Sequence, residues 1–204
     1  MRSTMPSTVV FDIGNVLLRW DMRALFSKIV PADRLDWFME HVCPVSWHGQ
    51  LDAGLTYAEA IAQRVALYPD HAETIAHYDP RWQETIVGAI DGSVRLLEAL
   101  RSAGVPTYAI TNFPAEKFDE TCELYPFLKG FLGVVVSGRE RLVKPDQAIF
   151  SLFLNRYGLV AEDCVFIDDS PANTHAARAL GFSALQFTDP GRLAVELRAL
   201  GLPV

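Results

Sequence analysis

The stretch V-V-F-D-I-G-N-V-L-L, Val9 to Leu18, sets a single carboxylate inside a run of apolar residues. Val9, Val10 and Phe11 carry the β-branched and aromatic side chains that suit an extended strand. Their apolarity is continuous rather than alternating, the pattern of a strand buried on both faces. An ionised carboxylate at the end of such a strand is costly to bury unless something pairs with it. Asp12 therefore needs partners from elsewhere in the chain. Gly14 and Asn15, directly behind it, mark a turn.

Four more β-rich runs follow: T-Y-A-I-T (Thr107 to Thr111), V-V-V-S (Val134 to Ser137), C-V-F-I-D-D (Cys164 to Asp169) and S-A-L-Q-F (Ser183 to Phe187). Between them apolar residues recur at threes and fours, as at Val94, Leu97 and Leu100, while Gly104, Gly158 and Gly181 stand where helix C-terminal caps are expected. Strands alternating with helices predict a parallel sheet covered on both faces and joined by right-handed crossovers, a doubly wound α/β fold. Residues 19–88 break this rhythm. They are rich in helix formers and aromatics (Trp20, Phe26, Trp37, Phe38, Trp47, Tyr57, Trp82), show no strand alternation, and are too many for one crossover helix. The expected organisation is a Rossmann-like core of residues 1–18 and 89–204 with a helical cap domain, 19–88, inserted into it.

The chain has 204 residues, half of them apolar and 21% charged, with a formal charge of -7. This is the composition of a globular protein with a full core. A negative balance argues against nucleic acid as a partner, because phosphate-backbone binding needs a basic face, yet it is compatible with a small anionic substrate at a local positive site. Three cysteines, Cys43, Cys122 and Cys164, are odd in number and widely spaced, which suits a reducing compartment and offers no disulfide framework or zinc site. The leader M-R-S-T-M-P-S is not followed by an uncharged apolar segment, and no run reaches the length of a membrane span. A cytoplasmic protein without membrane contact is expected; the sequence carries no signal of oligomeric state.

Open parallel sheets bind ligands outside the carboxyl ends of their strands. The first strand ends in Asp12, the second in Thr111-Asn112, the third is followed by Lys144-Pro145, and the fourth ends in Asp168-Asp169. Carboxylates at close quarters raise each other's pKa unless a cation is shared. A hard divalent ion with oxygen ligands answers this, and Mg2+ is typically held by one or two carboxylates together with substrate phosphate. Lys144 adds positive charge toward a phosphoryl group and Thr111 a hydroxyl donor. One carboxylate is then left to attack, forming an acyl phosphate.

The order and spacing of F-D-I-G-N-V-L, T-N, K-P and I-D-D-S-P-A-N-T resemble the four motifs of the haloacid dehalogenase superfamily of aspartate-nucleophile hydrolases, and the insertion after the first motif resembles that superfamily's cap. The resemblance implies that Asp12 is nucleophile and metal ligand and that Gly14 lends its backbone carbonyl to Mg2+. Thr111 and Asn112 would bind the phosphoryl group, and Lys144 would steady nucleophile and phosphate. Asp169 would be the main second metal carboxylate with Asp168 assisting, and Asn173 an outer position of the fourth motif. The implied activity is a phosphatase acting on a small phosphorylated metabolite such as a sugar phosphate.

Position 14 departs from the pattern. Most phosphatases of the superfamily carry there a second aspartate that transfers protons; this chain has glycine. Removing a positioned acid or base typically lowers the rate by about 10²–10⁴-fold. Three readings follow: a phosphatase for good leaving groups or with a substitute proton donor, for which His48 and Asp21 are the candidates; a metal-independent 2-haloacid dehalogenase; or a weakly active domain that binds a phospho-ligand or partner. For the substrate-facing side of the cap, Arg19, Trp20, Trp47 and His48 are the candidate residues, with His48 taken as substrate-binding.

Overall fold

Strand β1 (Thr8–Phe11) ends one residue before Asp12 in the computed structural model, which describes residues 6–204; residues 1–5 of the leader lie outside the described residues. A short β2 (Leu18–Trp20) follows, then α1 (Arg23–Phe26), α2 (Ala32–Trp37), α3 (Val45–Asp52), α4 (Tyr57–Leu67) and α5 (Ala72–Ala76), then β3 (Ile86–Ala89). The remainder alternates: α6 (Asp91–Ser102), β4 (Thr107–Thr111), α7 (Phe118–Leu124), β5 (Val134–Val136), α8 (Ser137–Glu140) and α9 (Gln147–Tyr157), then β6 (Cys164–Asp168), α10 (Pro171–Ala179), β7 (Ser183–Gln186) and α11 (Pro190–Ala199).

The sheet has the order β5-β4-β1-β6-β7 with every neighbouring pair parallel. Successive residues of β1 serve different cores, as the pleat requires. Val9 and Phe11 pack with Leu97 and Leu100 of α6 and Leu193 and Leu197 of α11. Val10 packs with Ile149, Phe150 and Phe153 of α9. All are fully buried or nearly so, and each such side chain contributes on the order of 2 kcal/mol. Helices therefore cover both faces, and the expected doubly wound α/β fold is present. Helix α9 stops at Gly158, whose left-handed φ of +64° accommodates the reversal.

The chain builds outward from β1 through β4 and β5, then crosses back to β6 and β7. The carboxyl end of β1 is thus the switch point at which open sheets bind ligands. Register does the rest: Phe11 lies opposite Ala109 of β4 and Ile167 of β6, so Asp12 emerges beside Asp168, with Thr111 two residues beyond its neighbour's partner.

Helices α1 to α5 fill the segment between β2 and β3 and pack on an aromatic cluster of Phe26, Phe38, Trp47, Tyr57, Tyr78 and Trp82. Helix α4 starts on a Thr56–Glu59 capping box. One expectation needs correction. The segment is not free of strand: β2 and β3 pair antiparallel at its base, with a register shift between Arg19 and Trp20. Strands of three and four residues, one bulged and the other holding Gly88, are too short to display a period of two.

Candidate active site

Asp12 is buried at the end of β1. Its Oδ1 accepts hydrogen bonds from the Ile13 N–H at 2.7 Å and lies 2.8 Å from Lys144 Nζ. That leaves Oδ2 without a hydrogen bond among the described residues. Lys144 also reaches Asp168 Oδ2 at 2.7 Å, so one buried ammonium bridges two buried carboxylates. The loop that carries Lys144, with its cis Lys144–Pro145 peptide, is fixed by Asn112, whose side-chain oxygen accepts from Lys144 N–H (2.8 Å) and whose amide donates to Lys144 C=O (3.0 Å). Asn112 lines the cavity, but its side chain is engaged in holding the lysine.

Asp168 is held hardest. Beyond Lys144, it accepts from the Ser170 N–H and from Asn173 Nδ2, which touches both of its oxygens. Ser170 caps α10, with Pro171 at the first turn, so the helix start is locally encoded and presents Asn173 to the carboxylate. Asp169 is partly exposed and its carboxylate faces the cavity. One carboxylate oxygen from each of Asp12, Asp168 and Asp169 lies within 4.8 Å of the others, an all-oxygen donor set that fits a hard divalent cation such as Mg2+. Asp12 and Asp169 are the better direct ligands, since Asp168 is already saturated. Thr111 is fully buried and its hydroxyl has no hydrogen-bond partner among the described residues, an orphaned group that a phosphoryl oxygen would satisfy.

The electrostatics follow from this crowding. Burial pushes the Asp12 carboxyl up to about 7, with Lys144 opposing the rise and Asp168 and Asp169 adding to it. Asp169 is also raised, by burial and then by Asp168. Burial would lower Lys144, but Asp12 and Asp168 outweigh that and hold it above its ordinary value. The lysine stays charged, and the cluster still has more carboxylates than cations.

A cavity of about 190 Å³ opens in front of Asp12, Gly14 and Asp169. Its lining from residues 19–88 includes Trp20, Val45, His48, Asp52 and Trp82, and Asn15 and Phe113 also line it. His48 and Trp20 thus reach the cavity. The other cap candidates do not. Trp47 is buried with its indole N–H on the Ala60 carbonyl, Arg19 points to solvent from β2, and Asp21 accepts from the Arg23 N–H at the start of α1. Asp52 and Trp82 were not anticipated. The one available signal for Asp52 was its spacing, four residues after His48, which puts both on one helix face. The indole N–H groups of Trp20 and Trp82 lack hydrogen-bond partners among the described residues.

Residues 6–181 match the family described as haloacid dehalogenase-like hydrolase. The chain is 34% identical over 105 residues to a sesquiterpene phosphatase of Aspergillus oryzae, covering 52% of this chain and 54% of that protein. It is 29% identical over 117 residues to a flavin mononucleotide hydrolase of Arabidopsis thaliana, covering 56% and 46%. The chain spans about half the length of these curated relatives. Among solved structures, a HAD-like family hydrolase from Porphyromonas gingivalis superposes with a TM-score of 0.74 at 20% identity, covering 97% of this chain and 98% of that one. A Bacteroides thetaiotaomicron HAD family enzyme, in complex with magnesium and inorganic phosphate, gives 0.71 at 21% identity, covering 90% and 94%. These two likenesses concern the fold.

Proposed function

Since the chain belongs to the haloacid dehalogenase-like hydrolase family, we propose that it is a Mg2+-dependent phosphatase of a small phosphorylated metabolite, working through an aspartyl-phosphate on Asp12. The observation that carries this reading is the state of Asp12, which lines the cavity: Oδ1 is tied to Lys144 and the Ile13 amide while Oδ2 has no hydrogen bond among the described residues. Two relatives named for phosphate-ester hydrolysis support it, as does the magnesium and phosphate complex of the Bacteroides enzyme.

In this mechanism Asp12 Oδ2 attacks phosphorus, and the bond to the ester oxygen breaks with its electron pair going to that oxygen. Lys144 orients the nucleophile and opposes the charge of the phosphoryl group, and the Thr111 hydroxyl donates to a phosphoryl oxygen. Asp12, Asp169 and the Gly14 carbonyl, with Asp168 behind them, would hold Mg2+, which would supply charge neutralisation for the incoming phosphate. Water then hydrolyses the acyl phosphate, which restores the carboxylate. Residues 19–88 act as the cap, excluding water and contacting the organic group. Trp20, Trp82 and Phe113 offer flat apolar faces there.

The test is phosphate release from a panel of esters with Mg2+, including sugar 1-phosphates, prenyl phosphates and flavin mononucleotide. Asp12→Asn is expected to lower turnover by at least about 10³-fold. Halide release from 2-chloropropionate that persists in EDTA would replace this reading with the dehalogenase one. Silence in both assays would leave a binding domain.

A further inference from the structure

The departing oxygen needs a proton that position 14 cannot give. A Cβ built at Gly14 would meet nothing within 4 Å, and its φ is not in the left-handed region, so neither crowding nor backbone geometry demands glycine there. Among the described residues the ionisable side chains lining the cavity are Asp12, Asp169, His48 and Asp52, with no lysine or arginine. The first two belong to the nucleophile and cation cluster. The other two stand on successive turns of α3.

We propose that His48 and Asp52 form the proton relay of the reaction, with His48 Nε2 as the atom that gives and takes the proton. The proposal rests on the phosphatase reading above. As the bond from phosphorus to the ester oxygen breaks, that oxygen takes the proton from Nε2 of the imidazolium and leaves as the alcohol. The neutral imidazole then accepts a proton from the attacking water. That water's oxygen takes the phosphoryl group, Asp12 is released as carboxylate, and the imidazolium is regenerated.

Three features support this. Asp52 Oδ1 is out of solvent, has no hydrogen bond among the described residues, and lies 3.4 Å from His48 Nε2, close enough for its charge to stabilise the imidazolium while leaving the Nε2 proton free to move. On the other side of the ring, the Tyr78 hydroxyl is 2.7 Å from Nδ1. The hydroxyl oxygen can accept from Nδ1–H both in the imidazolium and in the neutral ring left when Nε2 gives up its proton, so it keeps Nδ1 protonated and leaves Nε2 as the atom that exchanges. Burial keeps Tyr78 protonated, far above its ordinary range. Finally, the ring is held by Trp20 and Trp82, with centroids 4.6 and 5.4 Å away. Helix α3 is itself tied to the core, because Ser137 Oγ donates to the Asp52 carbonyl (2.6 Å) and accepts from the Phe113 N–H (2.9 Å). Asp52 and Tyr78 are the titratable groups facing His48 among the described residues.

A leaving-group series tests the relay. p-Nitrophenyl phosphate loses a phenolate that departs without a proton; benzyl phosphate loses an alkoxide that needs one. With Mg2+, Asp52→Asn and His48→Gln are each expected to lower kcat on benzyl phosphate by about 10²–10³-fold and to lose at least about tenfold less on p-nitrophenyl phosphate. If His48→Gln does not fold, the near-isosteric Asp52→Asn carries the test alone. Equal losses on the two esters, or no loss on benzyl phosphate, overturn the relay and leave His48 a packing residue. A wild-type protein that hydrolyses neither ester, nor any of the panel, overturns the phosphatase reading instead, a result that does not depend on the variants.

Discussion

In the proposed mechanism Asp12 attacks as the carboxylate, yet burial pushes its carboxyl up to about 7. A cation bound to Asp12 favours the charged form and draws the pKa down. The acid limb of kcat/KM should therefore move to lower pH as Mg2+ is raised; a limb that stays in place counts against Asp12 as a ligand. Stability carries the same signature. The folded carboxyl binds its proton up to about 7 and the unfolded one only to 3.8, so the contribution of Asp12 is present below the lower value and is lost as pH rises through the upper one. The melting-temperature gain on adding Mg2+ should accordingly be larger at about pH 8 than at about pH 5. Asp12 and Asp168-Asp169 are legible because each interrupts or directly follows an apolar run, and Lys144 because it stands before a proline in the segment after the third β-rich run. Asp52 is not, since an acid at the end of a helix among polar neighbours looks the same whether it faces solvent or a cavity.

At the scale of elements, the loop between α8 and α9 matters for where it delivers one ammonium. Lys144→Met removes the cation between Asp12 and Asp168 and leaves two buried carboxylates facing each other. In the metal-free protein this is expected to cost about 3–5 kcal/mol at a pH above that at which Asp12 titrates, and less at about pH 5, where a proton replaces the lost charge. Urea denaturation at the two pH values measures the difference, and a cost independent of pH would mean that the lysine's packing, not its charge, is what matters. The core strands β1, β4 and β6 were readable because continuous apolarity has one explanation in an α/β chain. The β2–β3 ribbon was not, because its pairing joins residues far apart in sequence and leaves no local period.

For the whole molecule, the segment 19–88 and the sheet share one apolar cluster. Phe11, Val165 and Leu193 belong to the same contiguous core as Phe26, Tyr57 and Trp82, and Trp82 meets Phe113 edge-on at 5.8 Å. Polar ties add to it: Lys117 Nζ on Asp79 at 2.6 Å, and the Tyr57 N–H on Glu116 at 2.8 Å. Residues 19–88 and the sheet should unfold together. Near-UV and far-UV signals are expected to fall on one transition, and Trp82→Ala, which empties a side chain 1% exposed, to lower that transition by about 3–5 kcal/mol without splitting it. Two separated transitions would show the cap folding on its own.

The central place of β1 has a consequence for biosynthesis. Both of its hydrogen-bonding edges are filled from far along the chain, by residues 107–111 and 164–168. While the protein is being made, Val9, Val10 and Phe11 form an apolar strand with both edges bare until β4 emerges and one edge bare until β6 has left the ribosome, the condition under which nascent chains aggregate. The helices of 23–76 find their partners at shorter range and are free to form earlier. The arrangement that seats Asp12 at the switch point thus gives its strand the longest wait for its second partner.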